Sequence, residues 1–201
     1  MKERPILLNA DMVRAVLDGR KTQTRRVMKV QPHAGVRNSP FVKSGIEDGH
    51  GKELVCPFGG VGDRLWVREK TRVDLLLKNR RAHVRYEADG EYRIVPVPER
   101  IKPVADGRCM SNGCYREASR ITLEITGVRV ERLWDITEDD AKAEGCTFEA
   151  LRFKPGTREV EEMGQTAVYQ FGGLWQSIYG ADSWQANLWV WVIEFKRVEV
   201  E

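Results

Sequence analysis

The stretch Ser119–Leu133, "SRITLEITGVRVERL", decides the class of fold. Ile121, Leu123 and Ile125 alternate with polar partners, and Val128 and Val130 continue the pattern after Gly127. Alternation with period two sends successive side chains to opposite faces, so a long strand with one buried face is predicted. Gly127 marks a bulge or bend in it. Downstream, "DITEDDAKAEG" (135–145) reads as a capped helix. Thr137 precedes acids that suit the positive end of a helix, and Gly145 can close it. A further helix is expected within 163–180, although Gly172-Gly173 weakens it. "NLWVWVIEFKRVEV" (187–200) is dense in β-branched and aromatic residues and predicts a closing strand.

Upstream, Leu65 and Val67 in "VGDRLWVRE" (61–69) alternate like a strand after a turn at Gly62-Asp63. "AHVRYEA" (82–88) and "EYRIVPV" (91–97) flank Asp89-Gly90, a pair favoured in tight hairpins. Residues 29–60 carry prolines and glycines without periodicity and read as a long excursion. "RPILLN" (4–9) is a short strand. Asp11 is a candidate N-cap for a two-turn helix built on Met12, Val13, Val16 and Leu17 and ended by Gly19. Strands with a few short helices favour an α+β arrangement or a small barrel over a doubly wound sheet.

The chain has 201 residues, 31% of them charged, and a net charge of only +3. A whole-molecule field for nucleic acid is therefore excluded, and any such case rests on local patches. No apolar run approaches the roughly 20 residues that span a bilayer. The N-terminus is too broken by charge for a secretory signal, so a cytoplasmic location with no membrane partner is expected. Cys56, Cys109, Cys114 and Cys146 form no CxxC pair, which argues for reduced thiols rather than a metal knuckle. His33, His50 and His83 share no spacing and receive no role.

"LDGRKTQTRRV" (17–27) is the stretch with chemistry in it. Arg20, Lys21, Arg25 and Arg26 fall within seven residues, interleaved with Thr22, Gln23 and Thr24. A threonine hydroxyl becomes a nucleophile only when a base takes its proton. A lysine can be that base only when burial or neighbouring cations bring its pKa down from about 10.4 towards 7–8. A carboxylic acid could then protonate a leaving amine. Glu138, Asp139, Asp140 and Glu144 are all candidates, and the helix alone does not choose among them. Lys21 and Thr24 would point to opposite faces of a regular strand, so these roles require 21–24 to be a turn, with the strand starting later. The plainer reading of the segment is a solvated face. A third is a phosphate patch running on through Lys29, Arg37 and Lys43, with a second cluster in "LLKNRR" (76–81) and Trp66 or Tyr86 stacking on a base. Glu69 is a possible cleft acid or simply a strand end.

The spacing G-x-K-x-x-T-x-R over Gly19–Arg26 resembles the signature of the ASCH family, usually written G-x-K-x-x-E-x-R. Gly19, Lys21 and Arg26 match, and Thr24 stands where many members carry Glu. That departure resembles the branch with the small bacterial N4-acetylcytidine amidohydrolases, whose local form is GRKT-x-T-x-R. "GDRLWV" (62–67), "DITEDDAKAEG" and "WVIEFK" (191–196) are similar to further family segments in the same order. The longer chain is similar to members encoded by phages and prophages, placing it in the cytoplasm of a bacterial host.

The resemblance implies a PUA-like small mixed β-barrel flanked by short helices. It implies one domain over 1–201, with long insertions near 29–60, 70–118 and 150–185. It implies Lys21 as base, Thr24 as nucleophile and Glu144 as proton donor, the last on alignment of Thr137, Glu138 and Ala141. From the chemistry of the residues themselves, Arg20, Arg25, Arg26, Trp66 and Glu69 are the candidate substrate-binding residues, Arg26 also as an oxyanion stabiliser. Neither cofactor nor metal is implied. The expected activity is removal of an acyl group from an N4-acylated cytosine nucleoside or related modified base. The alternatives are a non-catalytic module for RNA or a modified nucleotide, and a ribonuclease. Oligomeric state is not legible.

Overall fold

A computed structural model describes residues 1–102, 106–110, 113–147, 152–153, 160–162 and 166–198. It is an α+β protein, mostly strands with three α-helices and three short 3-10 helices among the described residues. The strands are β1 Glu3–Leu7, β2 Gln23–Val27, β3 Val36–Asn38, β4 Ile46–Asp48, β5 Arg64–Arg68, β6 Thr71–Leu77, β7 Arg81–Tyr86, β8 Tyr92–Pro96, β9 Arg108–Cys109, β10 Thr122–Arg132, β11 Arg152–Phe153, β12 Val160–Glu162 and β13 Trp189–Val198. The helices are α1 Ala10–Leu17, α2 Glu138–Ala143 and α3 Ala167–Tyr179. The sheets they form are open, so the closed barrel expected above is not formed. No helix among the described residues is long and apolar enough to cross a membrane.

The chain divides into two compact units, each discontinuous in sequence. The first comprises Met1–Gly19, Pro57–Thr126 and Phe195–Glu201. Here β1 pairs parallel with β5, and β5 pairs antiparallel with the start of β10, where Thr122 faces Trp66. Leu65, Val67, Leu123 and Ile125 all point inward with no exposure, as the alternation predicts. Helix α1 buries Met12, Val13, Ala15 and Val16. Its N-cap is Asn9, whose side chain accepts from the Met12 N–H at 2.9 Å, so the cap lies two residues before the expected Asp11.

A four-stranded sheet, β8-β7-β6-β9, covers a second core of Val73, Ala82, Val84, Val95 and Val97. The hairpin expected around Asp89-Gly90 is present as β7 and β8, and Gly90 takes the left-handed φ of 77° that the turn needs. Strand β6 escaped the sequence reading for a physical reason. Its register shifts between Val73 and Leu75, which breaks the period-two pattern at Asp74.

The second unit comprises Arg20–Cys56 and Gly127–Glu194. Strand β13 pairs antiparallel with β2, setting Val190 opposite Val27, Val192 opposite Arg25 and Glu194 opposite Gln23. Helices α2 and α3 cover this face, with Ala141, Phe171 and Trp175 packed on Val190 and Val192. The Gly172 expected to weaken α3 is buried within it. A Cβ there would lie 3.5 Å from the Trp184 ring, so the glycine admits close ring packing. Gly127 sits within continuous β10. A Cβ on it would lie 2.5 Å from the Glu194 carboxylate, which makes it a point of close approach. The excursion at 29–60 holds one small hairpin, β3–β4.

Candidate functional site

Strand β2 begins at Gln23 and Lys21 joins Glu144 in an isolated bridge, so the expected turn over 21–24 is replaced by nearly extended chain. Alternation then decides which side chains meet. Lys21, Gln23 and Arg25 all reach acids carried by α2 and β10, whereas Thr24 lies opposite Ile193 with the other parity.

Lys21 is the centre of the cluster. Its Nζ donates to Glu144 Oε2 at 2.6 Å and to the Glu144 carbonyl at 2.9 Å. Neither side chain is more than 2% exposed. Burial holds the Lys21 ammonium below its usual pKa, against the opposing pull of the Glu144 charge. Arg25 is fully buried and lies between three carboxylates. It stands 3.0 Å from Glu131, 3.2 Å from Asp140 and 3.5 Å from Glu144. Its guanidinium also sits 6.0 Å from the Phe171 ring centre. Gln23 donates to the Asp140 carboxylate and carbonyl, each at 3.0 Å. Arg129 closes the network, 2.9 Å from Asp140 and ion-paired with Glu131 and Glu194.

The four acids left open by sequence are sorted by their neighbours. Glu138 accepts from the Ala167 and Val168 N–H groups and so holds the start of α3. Asp139 is solvent-exposed and pairs with Lys142. Asp140 forms a capping box with Thr137. Burial works against its charge, but hydrogen bonds from the Thr137 N–H, Gln23 and the Thr137 hydroxyl, with the charge of Arg25, bring its pKa down to about 2. Glu144, the C-cap of α2, alone faces Lys21. Cys146 lies nearby with its thiol pushed up to about 11, first by burial and then by the Glu144 charge.

Thr24 does not join this set. Its side chain is buried, and its hydroxyl has no hydrogen-bond partner among the described residues. Arg20 is exposed and donates to the Gly145 carbonyl at 3.0 Å; half-buried Arg26 donates to the Arg25 carbonyl at 3.3 Å. Arg37 pairs with Glu47 at 2.7 Å. In "LLKNRR", Arg80 donates to the carbonyls of Val97, Pro98 and Ile101, so that part of the expected basic patch ties down a loop.

Trp66 and Glu69 belong to the first unit. Buried Glu69 makes a two-pronged pair with Arg120, both contacts at 2.8 Å. Arg120 in turn pairs with Asp89 and Glu91 and stacks 4.1 Å from the centre of the Tyr86 ring. That ring was a candidate base platform. It is fully buried, its hydroxyl donates to the Ala118 carbonyl at 2.8 Å, and it is a core residue.

Sequence reasoning missed Gln23, Arg129 and Glu131. The available signal was parity: 21, 23 and 25 share one strand face, and so do 129 and 131. Charged residues repeating at that spacing on a strand imply a paired, inward-facing network. No group of His, Cys, Asp or Glu among the described residues is arranged to hold a metal ion. Comparison with protein-family models, with curated proteins and with solved structures returned no match.

Proposed function

We propose that the second unit removes an acyl group from an N4-acylated cytosine nucleoside or related modified base, as the ASCH-like spacing of Gly19–Arg26 suggests. One observation carries the reading: Lys21 Nζ lies 2.6 Å from Glu144 Oε2 with both side chains buried. Burial lowers the Lys21 pKa, which eases the loss of its proton. In the proposed reaction that proton passes from Lys21 Nζ to Glu144 Oε2, leaving a base and an acid in contact, as amide hydrolysis requires. Lys21 then takes the Thr24 hydroxyl proton as that oxygen attacks the acyl carbonyl. Glu144 gives its proton to the departing N4 amine, and water hydrolyses the acyl-threonine. Substrate entry must open the site, because Lys21, Thr24 and Glu144 are each at most 3% exposed. The same motion must turn Thr24 towards Lys21.

A second reading, a non-catalytic module for RNA or a modified nucleotide, is favoured by the Thr24 hydroxyl, which has no hydrogen-bond partner among the described residues. Without a base beside it, that oxygen is no better a nucleophile than any alcohol.

The test is release of cytidine from N4-acetylcytidine, followed by chromatography. Turnover by the wild type that disappears in Lys21→Ala, Glu144→Gln and Thr24→Ala supports the hydrolase with these roles. Turnover retained in Thr24→Ala makes water the nucleophile. A folded wild type with no turnover removes this substrate and leaves the binding reading, whose own signature is an RNA affinity that falls steeply with salt.

A further inference from the structure

The first unit contains a cavity of about 430 Å³ that the reaction proposed above does not use. This is within the usual range for small-molecule sites, roughly 300 to 1,000 Å³. Trp66, Ile101, Met110 and Tyr115 give it aromatic and apolar walls, and Arg68, Arg100 and Arg116 also line it. Trp66 and Arg68 project from the same face of β5, while Leu65 and Val67 enter the core on the other. Two hydrogen bonds hold the wall at Tyr115 and Cys114. The Tyr115 hydroxyl donates to the Pro96 carbonyl at 2.9 Å, and the Cys114 N–H donates to the Glu69 carbonyl at 3.0 Å. Gly113, with φ of 81°, lets its loop pass where a Cβ would lie 3.2 Å from Arg68 Cβ and from the Glu69 carbonyl oxygen.

The three arginines are not equivalent. Arg100 is answered by both oxygens of Glu117, and Arg116 by both oxygens of Glu3. Arg68 has no carboxylate partner among the described residues, and its buried Nε–H has no acceptor there. Arg68 is thus the lining arginine with no carboxylate partner among the described residues, two residues from an indole on the same face, which matches a ligand with an anionic group and a flat ring.

We infer that this cavity binds a mononucleotide, with the base against Trp66 and Tyr115 and the phosphate on Arg68. Arginine matches phosphate geometry through paired N–H donors, and aromatic faces stack on any base. The site is therefore selective for phosphate and tolerant of base identity.

The experiment is calorimetric titration of the full chain with adenosine 5′-monophosphate and, separately, with adenosine. Adenine carries no N4-acyl group, so the outcome is independent of the hydrolase reading. The monophosphate is expected to bind about tenfold or more tighter than the nucleoside, the usual scale for a charge-assisted contact. Arg68→Gln should abolish that difference with an unchanged circular dichroism spectrum. Trp66→Leu should weaken both ligands by about fivefold or more through lost stacking. Thr24→Ala should leave both affinities unchanged. The inference is overturned by absence of binding to the wild type, by equal affinity for the two ligands, or by wild-type affinity in Arg68→Gln.

Discussion

Lys21 is a buried cation whose charge is answered, among the described residues, by Glu144. Lys21→Met leaves the Glu144 carboxylate buried with Arg25 at 3.5 Å. Breaking a buried pair from one side costs about 3–5 kcal/mol, so a drop of that size is expected in urea denaturation. The double variant Lys21→Met/Glu144→Leu removes both charges, and most of the loss should return. A double variant no more stable than the single one would show that the pair is worth more than its desolvation. Asp140 supplies a pH test. Its folded pKa lies below the ordinary 3.8, at about 2, so the folded chain releases its proton more readily than the unfolded chain. Its contribution is present above 3.8 and lost as pH falls towards about 2. The stability difference between wild type and Asp140→Asn should shrink across that window, and a difference independent of pH would contradict the network. At this scale the sequence named the residue types but not their states. Lys21 and Arg25 read equally well as solvent-facing cations, because burial is a property of what folds over them.

Helix α2 shows how local sequence places a distant group. Thr137 accepts from the Asp140 N–H and Asp140 accepts from the Thr137 N–H, so the capping box sets the helix start. Two turns later Glu144 meets Lys21. Thr137→Ala should lower stability by about 1 kcal/mol, and Thr137→Ser should recover most of it. A loss in Thr137→Ala with no recovery in Thr137→Ser would place the cost in packing. This helix, α3, β10 and β13 were legible because each carries an unbroken period or a cap. Strand β6 was not, because its bulge at Asp74 interrupts the period. The start of β2 was not, because whether residues 21–24 turn or extend depends on Glu144 and Ile193, more than 100 residues away in the chain.

At the scale of the molecule, the near-neutral charge conceals how the cations are used. Of the basic residues read as a patch, Lys21, Arg25, Arg37 and Arg80 are engaged by acids or carbonyls within their own units. Each unit also has an apolar cluster of its own. In the second, Phe171 packs among Trp175 and Trp184, with ring centres 5.8 and 6.2 Å away, and beneath Arg25. Phe171→Ala should cost about 3–5 kcal/mol in denaturant unfolding. A cost under about 1 kcal/mol would mean that the cavity collapses without penalty.

The sequence by itself determined the α+β class, the long alternating strands, the capped helices and the hairpin at Asp89-Gly90. These follow from interactions among residues close in the chain: parity, capping and turn geometry. Tertiary structure decided which of four acids faces Lys21, which cations are buried, that Thr24 points away from both, and that the sheets stay open. Those outcomes rest on contacts between distant segments, where desolvation and pairing set the energy and no local period records the partner.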